Sequence, residues 1–542
     1  MTRFLVMFIL AGILVTTSSA RDFGPSSVNQ SFQQQSASRF TQPEGDILSV
    51  AVIPDGRAIV AAISGLFISS ADRLGPWEEG PGFEITVLEH DGETLWAGGG
   101  HQLAKRDQGG WDNFNLAEEI RIDDIRFFGD KIGIGTNQGF CFLDKETLDG
   151  IIIGDQPIRA FTVLGDWIYL GTDDHLLRAT TKGGSLEELI ISDDKYSWSP
   201  TQVTALASDG SHLWMGCKEG AAVFDGTQWK IFTGEEGLPY DHFTCAEARD
   251  GKVWFGTEWG AVYFNGDEWS YRAGDRWLPD DHVNDLSIAP DGTVWIATPG
   301  GVSKIQTEDK TLAEKAKEYE EIIDQRHWRM DYVVRCKFHE KGNLDTHWIN
   351  HTDNDGLYSA MYGASQAFRH AATKDPEAKE RAKRIFKGLL FLEQVTPMSG
   401  FPARSVIPAD WEPNPNTQLT PEVNRKMKEE DPLWKEIFPR WPTSEDGKYL
   451  WKCDTSSDEI CGHYFFYALY YDFVAETDEE KAEVRDLVRR MTDHIVDHGY
   501  RLIDYDGEPT RWANWSPEYV NGPDGWADRG IQSVEILSFL NV

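Results

Sequence analysis

The chain has 542 residues and a formal net charge of −37, from 89 Asp and Glu against 52 Lys and Arg. At roughly 100–200 residues per domain that length predicts two or more domains. With 40% hydrophobic and 26% charged residues, the composition excludes a disordered, collagen-like or polytopic membrane chain. The acidity argues against nucleic acid or an anionic membrane surface as partner, because both need a basic face.

Residues 1–20 read as a secretory signal peptide. Arg3 supplies the positive start, Phe4 to Val15 the apolar run, and Ser18 and Ala20 the small residues before the cleavage point. The expected mature chain starts at Arg21 and carries no integral membrane segment, since no later stretch approaches about 20 apolar residues. Localisation is therefore secreted or periplasmic. Residues 21–38 are expected to be a flexible N-terminal segment. The six cysteines include no CxxC pair, so no zinc knuckle or redox motif is supported, and no metal or cofactor is expected.

A repeat then fills residues 39–306. Leu213-Trp-Met-Gly-Cys217, Val253-Trp-Phe-Gly-Thr257 and Val294-Trp-Ile-Ala-Thr298 share one register, and weaker copies lie upstream. Their second residues are Ile59, Trp96, Gly133, Tyr169, Trp214, Trp254 and Trp295, spaced by 37, 37, 36, 45, 40 and 41 residues. Seven copies at that period predict a seven-bladed β-propeller. Alternating apolar residues make the strands, and Asp-Gly pairs such as Asp250-Gly251 make the hairpin turns. Arg39-Phe-Thr41 has the shape of the outer strands Lys230-Ile-Phe-Thr233 and Ser270-Tyr-Arg272, yet precedes the first blade. It is expected to complete the last blade and so close the ring.

Gly237-Leu-Pro239, Asp250-Gly-Lys-Val-Trp-Phe-Gly-Thr257 and Gly260 resemble the propeller repeats of two-component regulator sensors. In that family such propellers are extracytoplasmic sensing modules ahead of a membrane span and a histidine kinase. This chain carries neither, and a propeller alone implies little about function.

After Ile305 the period changes from 2 to 3.6. Residues 307–344 are expected to be a linker helix and its connection, and 345–542 an all-α domain. Leu357 to Ala372 reads as a buried helix, and Asp375-Pro376 caps a charged partner running from Glu377 to Val395. The plan recurs as Ile460 to Tyr471 with Glu479 to His498, and a third apolar helix runs from Ile531 to Leu540. Buried inner helices with charged outer partners resemble the α/α toroid of six-hairpin carbohydrate-active enzymes, both glycoside hydrolases and polysaccharide lyases. A full ring needs more helices than about 235 residues hold, so either a truncated chain or a partial toroid is expected.

In such a toroid the loops before the inner helices meet at one mouth. The catalytic candidates there are Asp355, Asp458, Glu459, His351, His463 and Tyr464. Candidates for binding substrate are Arg404, Arg511, Trp348, Trp451, Trp512 and Trp515. Aromatic rings stack on sugar faces while carboxylates and guanidinium groups bind hydroxyls or uronates, so a polysaccharide or oligosaccharide is the expected partner. An inverting hydrolase would use Asp355 with Asp458 or Glu459 as acid and base. A lyase would use His351, His463 or Tyr464 as base, with Arg404 or Arg511 neutralising a uronate carboxyl. Asp355 and Asp458 equally suit helix caps, His463 a core histidine, and the two arginines structural partners of those acids. His351 to Gly356 looks like a calcium loop, but His351 and Tyr362 stand where a carboxylate is needed. The alternative to a glycan-active enzyme is a non-catalytic extracytoplasmic binding or sensing module built on the propeller.

Overall fold

The computed structural model describes residues 29–41, 45–70, 73–77, 80–107, 110–340 and 343–542. The signal peptide and residues 21–28 lie outside them. Among the described residues no helix is long and apolar enough to cross a membrane. The chain forms two compact units, Phe32–Lys310 and Thr311–Val542, the latter including Asn29–Ser31.

The first unit is a seven-bladed propeller of seven four-stranded antiparallel sheets. The first strands of successive blades neighbour one another around the ring, with Ile47–Val52 of blade one beside Asp285–Ile288 of blade seven. Ser49 Oγ and the Val50 N–H both donate to Asp285 Oδ2, at 2.5 and 3.0 Å, and so pin the two blades together. Blade seven consists of Asp285–Ile288, Val294–Thr298, Gly301–Thr311 and, outermost, the N-terminal strand Ser31–Phe40. The closing strand thus exists as expected but begins at Ser31, so residues 31–38, expected as part of a flexible segment, lie in the strand. Their Ser- and Gln-rich sequence has weak strand preference of its own, and the partner Gly301–Thr311 supplies the order.

Why these residues build blades is visible in the sixth, whose strands are Phe243–Arg249, Lys252–Thr257, Gly260–Phe264 and Trp269–Arg272. A Cβ on Gly256 would stand 2.4 Å from Cys245 Sγ and 2.6 Å from Val283 Cγ1, so only glycine lets the strands approach there. Gly260, at φ 121°, makes the reversal. Thr257 Oγ1 donates to its carbonyl at 2.7 Å, and the same bond recurs as Thr136–Gly139 and Thr298–Gly301. The 45-residue step between blades four and five accommodates an added hairpin, Ile191–Ser192 with Ser197–Trp198.

The inner strands bring Glu89, Asp124, Arg126, Glu247 and Asp285 together. Arg126 donates to Asp124 Oδ2 (3.0 Å) and to the Leu206 and Ala246 carbonyls (3.2 Å each), and its Nη1 lies 3.7 Å from Glu247. Burial pushes the Glu89 carboxyl well up, and the Glu247 charge adds to the rise.

The second unit is mixed rather than all-α. Its helices among the described residues are α1 (Leu312–Arg326), α2 (Asp355–Thr373), α3 (Pro376–Gln394), α4 (Pro421–Glu430), α5 (Ser457–Phe473), α6 (Asp478–Asp497), α7 (Pro517–Val520) and α8 (Arg529–Phe539). Between them lie four two-stranded sheets, including Val406–Pro408 with Tyr449–Trp451 and Arg501–Ile503 with Pro509–Asn514. α2 pairs with α3 and α5 with α6, and α2 packs against α5. Capping follows the sequence: Asp375 accepts from Glu377 N ahead of Pro376, and Thr477 with Glu480 forms a capping box. Phe386 of α3 stacks on Tyr470 of α5 at 4.3 Å in one shared core. Among the described residues the helix contacts show no closed toroid. α8 turns Gln532, Glu535 and Phe539 inward and leaves Ile531, Val534 and Leu537 more than 60% exposed.

Candidate functional site

In the second unit a cleft of about 360 Å³ opens at the start of α2, lined by Arg335, His351, Thr352, Asp353, Asn354, Tyr358 and Lys452. Of the catalytic candidates only His351 lines it, beside Asp353, Tyr358 and Lys452. Asp353 and Lys452 form a close ion pair. Burial works against ionisation of Asp353, but the charges of Lys452 and Arg404 prevail and hold its carboxyl below the usual range. Burial also lowers Lys452, with Asp353 opposing. The Lys452 ammonium lies 5.5 Å from the Trp441 ring centre. His351 meets the same ring edge-on at 4.7 Å. Burial first, then the Lys452 and Arg329 charges, bring this imidazole down to about 4, so it is neutral at ordinary pH. Arg335 is exposed.

Most other candidates sit behind this surface. Asp355 is fully buried, and its carboxylate accepts from Arg329 Nη2 (2.9 Å), Ser405 Oγ and Thr352 Oγ1 (2.8 Å). Asp458 is half-buried and accepts from Asn354 Nδ2 at 2.8 Å. Neither is the N-cap of its helix; Asn354 and Ser456 hold those positions. Arg404 is buried and spends its guanidinium on the Asp353 carbonyl (2.8 Å), the Asp454 carbonyl (3.1 Å), Asn354 Oδ1 and Ser456 Oγ. That network fixes the loop carrying Asp353, so Arg404 positions the cleft.

Glu459 and His463, one turn apart on α5, are both fully buried. Glu459 Oε2 accepts from the Leu357 N–H at 3.0 Å, while Oε1 has no partner. Burial pushes this carboxyl well above the usual range, with Arg404 opposing and Asp355 and Asp458 adding to the rise. His463 Nδ1 shares a 2.7 Å hydrogen bond with the Tyr467 hydroxyl, its Nε2 has no partner, and burial brings the ring down to about 3. Both abut Gly356, where a Cβ would lie 2.3 Å from Glu459 Oε2 and 3.0 Å from His463 Nε2. Tyr464 is buried with its hydroxyl on Thr492 at 2.8 Å, and burial raises it to about 12.

The aromatic candidates do not gather at the cleft. Trp451 and Trp515 are buried, the latter donating to Glu535 at 2.8 Å. Trp512 is exposed beneath the Arg511 guanidinium (3.6 Å), which also pairs with Asp431 at 2.7 Å. Trp348 is exposed on the strand His347–Ile349 and carries Lys337 over its ring. Arg335 and Arg329 were not singled out from sequence. Arg329 lies 26 residues from the carboxylate it bonds, a partnership no local spacing reveals. Among the described residues no cluster of three or more His, Cys, Asp or Glu side chains is arranged to hold a metal ion.

Compared with known protein families and with curated proteins, the chain finds no match. Among solved structures it is similar to the extracellular domain of the hybrid two-component system BT4673 from B. thetaiotaomicron, at 15% identity and TM-score 0.41, over 50% of this chain and 39% of that one. The BT3049 extracellular domain from the same organism gives 13% identity and TM-score 0.42, over 58% and 45%. Virginiamycin B lyase from Staphylococcus aureus gives 12% identity and TM-score 0.39, over 51% and 99%. The chain thus spans less than half the length of the two sensor domains. These are distant likenesses of the propeller fold, and the helical part is unmatched.

Proposed function

We propose that the protein is an extracytoplasmic saccharide-binding protein whose helical unit holds a sugar bearing one carboxylate. The observation that carries this reading is the division of labour around the cleft. Groups facing it are binders: the Arg335 and Lys452 cations, the Asn354 amide, the Tyr358 hydroxyl and a neutral His351. The single lining carboxylate, Asp353, is already paired with Lys452. Two cations against one carboxylate leave room for one further negative charge, and Lys452 is buried enough for that charge to be felt strongly. The acids suited to hydrolysis, Asp355 and Glu459, lie beneath the surface and make their bonds inward.

A second reading, elimination, is favoured by His351. An imidazole kept unprotonated beside two cations is the arrangement that removes a proton α to a uronate carboxyl while those cations neutralise the carboxyl. One experiment separates the readings. Trigalacturonate and a mannuronate trimer are incubated with the full chain, following heat of binding and ultraviolet absorbance of a new C=C bond. Binding that weakens about tenfold in Lys452→Gln, with no new absorbance, supports the binding protein. Absorbance that His351→Ala abolishes supports the lyase. Neither heat nor absorbance removes both.

A further inference from the structure

We infer that the propeller carries a second, independent saccharide site, a groove between blades six and seven that takes a neutral oligosaccharide. The groove has a volume of about 710 Å³, within the range of ligand clefts (about 300–1,000 Å³). It exists because the ring-closing strands overrun their blade. Of Gly301–Thr311 only Gly301–Ile305 pairs with Val294–Thr298, so the rest of that strand and the start of Ser31–Phe40 project beyond the blade. Thr307, Asp309, Gln33 and Gln35 on that projection form one wall.

The opposite side differs from every other blade. The residue facing the second position of the repeat is Ile68, Lys105, Phe142, Arg178, Val223 and Lys304 in blades one to five and seven. Where tryptophan stands beneath Lys105 and Lys304, the ammonium caps the ring at 5.5 and 5.6 Å. At this facing position blade six alone sets an aromatic ring on an aromatic ring: Tyr263 stacks on Trp254 with ring centres 4.5 Å apart and planes at 24°. Trp254 is buried and Tyr263 half-exposed, so the pair offers a backed aromatic platform in the groove. Stacking on such a face is indifferent to charge, and the wall supplies amides and carboxylates that bind hydroxyls. Gln35 Oε1 already accepts from Arg272 (2.9 and 2.6 Å), which leaves its amide nitrogen to donate. Five carboxylates, Asp267 and Asp309 among them, line the groove against three cations, Arg249, Lys252 and Arg272, so it disfavours an anionic sugar and suits a neutral sugar chain.

The site does not depend on the helical cleft, and its test keeps the two apart. The full chain is titrated calorimetrically with cellohexaose, xylohexaose, mannohexaose and maltohexaose. At least one is expected to bind, with affinity at least about tenfold weaker in Tyr263→Lys and unchanged in Lys452→Gln. Tyr263→Lys installs the residue that blades two and seven carry at this place, so the blade packing has a precedent within the molecule. Should that variant unfold, Glu268→Gln at the exposed rim decides: binding about threefold weaker or more supports the groove, and unchanged binding overturns it. No binding by any of the four sugars, or wild-type binding by folded Tyr263→Lys, also overturns it.

Discussion

Replacing Glu247 by glutamine is expected to stabilise the propeller above neutral pH and to flatten its pH dependence. Burial raises the Glu247 carboxyl to about 7, with Arg126 opposing and Asp285 and Asp124 adding to the rise. Burial likewise raises Asp285 to about 6, against the hydrogen bonds from Ser49 and Val50. A free glutamate ionises near 4.5, so the folded value lies above the unfolded one. The stability this group contributes is therefore complete below about pH 4.5 and is lost as pH rises through about 7. The rise corresponds to about 3 kcal/mol at most. Because the side chain is 32% exposed to water, screening brings the figure to about 1–2 kcal/mol. For a unit of this size that is about 3–6 °C in melting temperature. Differential scanning calorimetry of the full chain at about pH 5.5 and about pH 8 reads it. Wild type should lose stability toward the higher pH, while Glu247→Gln should lose much less and melt higher than wild type at about pH 8. Glu268→Gln, on an exposed turn, should leave the slope unchanged. Equal slopes in wild type and Glu247→Gln, or a Glu247→Gln protein less stable at the higher pH, would refute the reasoning.

Arg329→Ala strands the fully buried Asp355 carboxylate and is expected to cost about 3–5 kcal/mol in the helical unit, read as a lower melting temperature of that transition. Gly356→Ala drives a methyl into Glu459 Oε2 and His463 Nε2, and urea denaturation should show a loss of about 1–3 kcal/mol. Thr257→Val removes the hydroxyl that closes the blade-six hairpin, with an expected loss of about 1 kcal/mol by the same method.

How far the sequence carries depends on whether a feature is local or long-range. The propeller is legible because each blade repeats one strand–turn chemistry, and Trp96, Trp214, Trp254 and Trp295 mark the register. The ring-closing strand is visible at Arg39-Phe-Thr41, where its shape matches other outer strands, and invisible at Ser31 to Ser38, where the partner strand imposes the order. The helical hairpins follow from period and caps. The strand pairs of the second unit do not: Trp328–Arg329 with Tyr332–Val333 is too short to show a period, and Val406–Pro408 takes its partner Tyr449–Trp451 from far along the chain. The cleft is half legible: His351, Asp353 and Tyr358 lie close together in the sequence, while the pairing of Asp353 with Lys452 spans 99 residues and no local spacing shows it. Burial, which separates Glu459 and Asp355 from that surface, depends on which residues of other elements cover them. α8 shows the same limit, since its apolar sequence suggested an inner helix yet Ile531, Val534 and Leu537 are exposed.

The central claim, that the helical cleft selects one sugar carboxylate, is tested most directly by titrating the full chain with trigalacturonate and with the same trisaccharide after its carboxyls are reduced to alcohols. The acid form is expected to bind measurably, about tenfold or more tighter than the reduced form, with the difference shrinking as salt is added. Equal affinity for both, or no binding of the acid form, would contradict it.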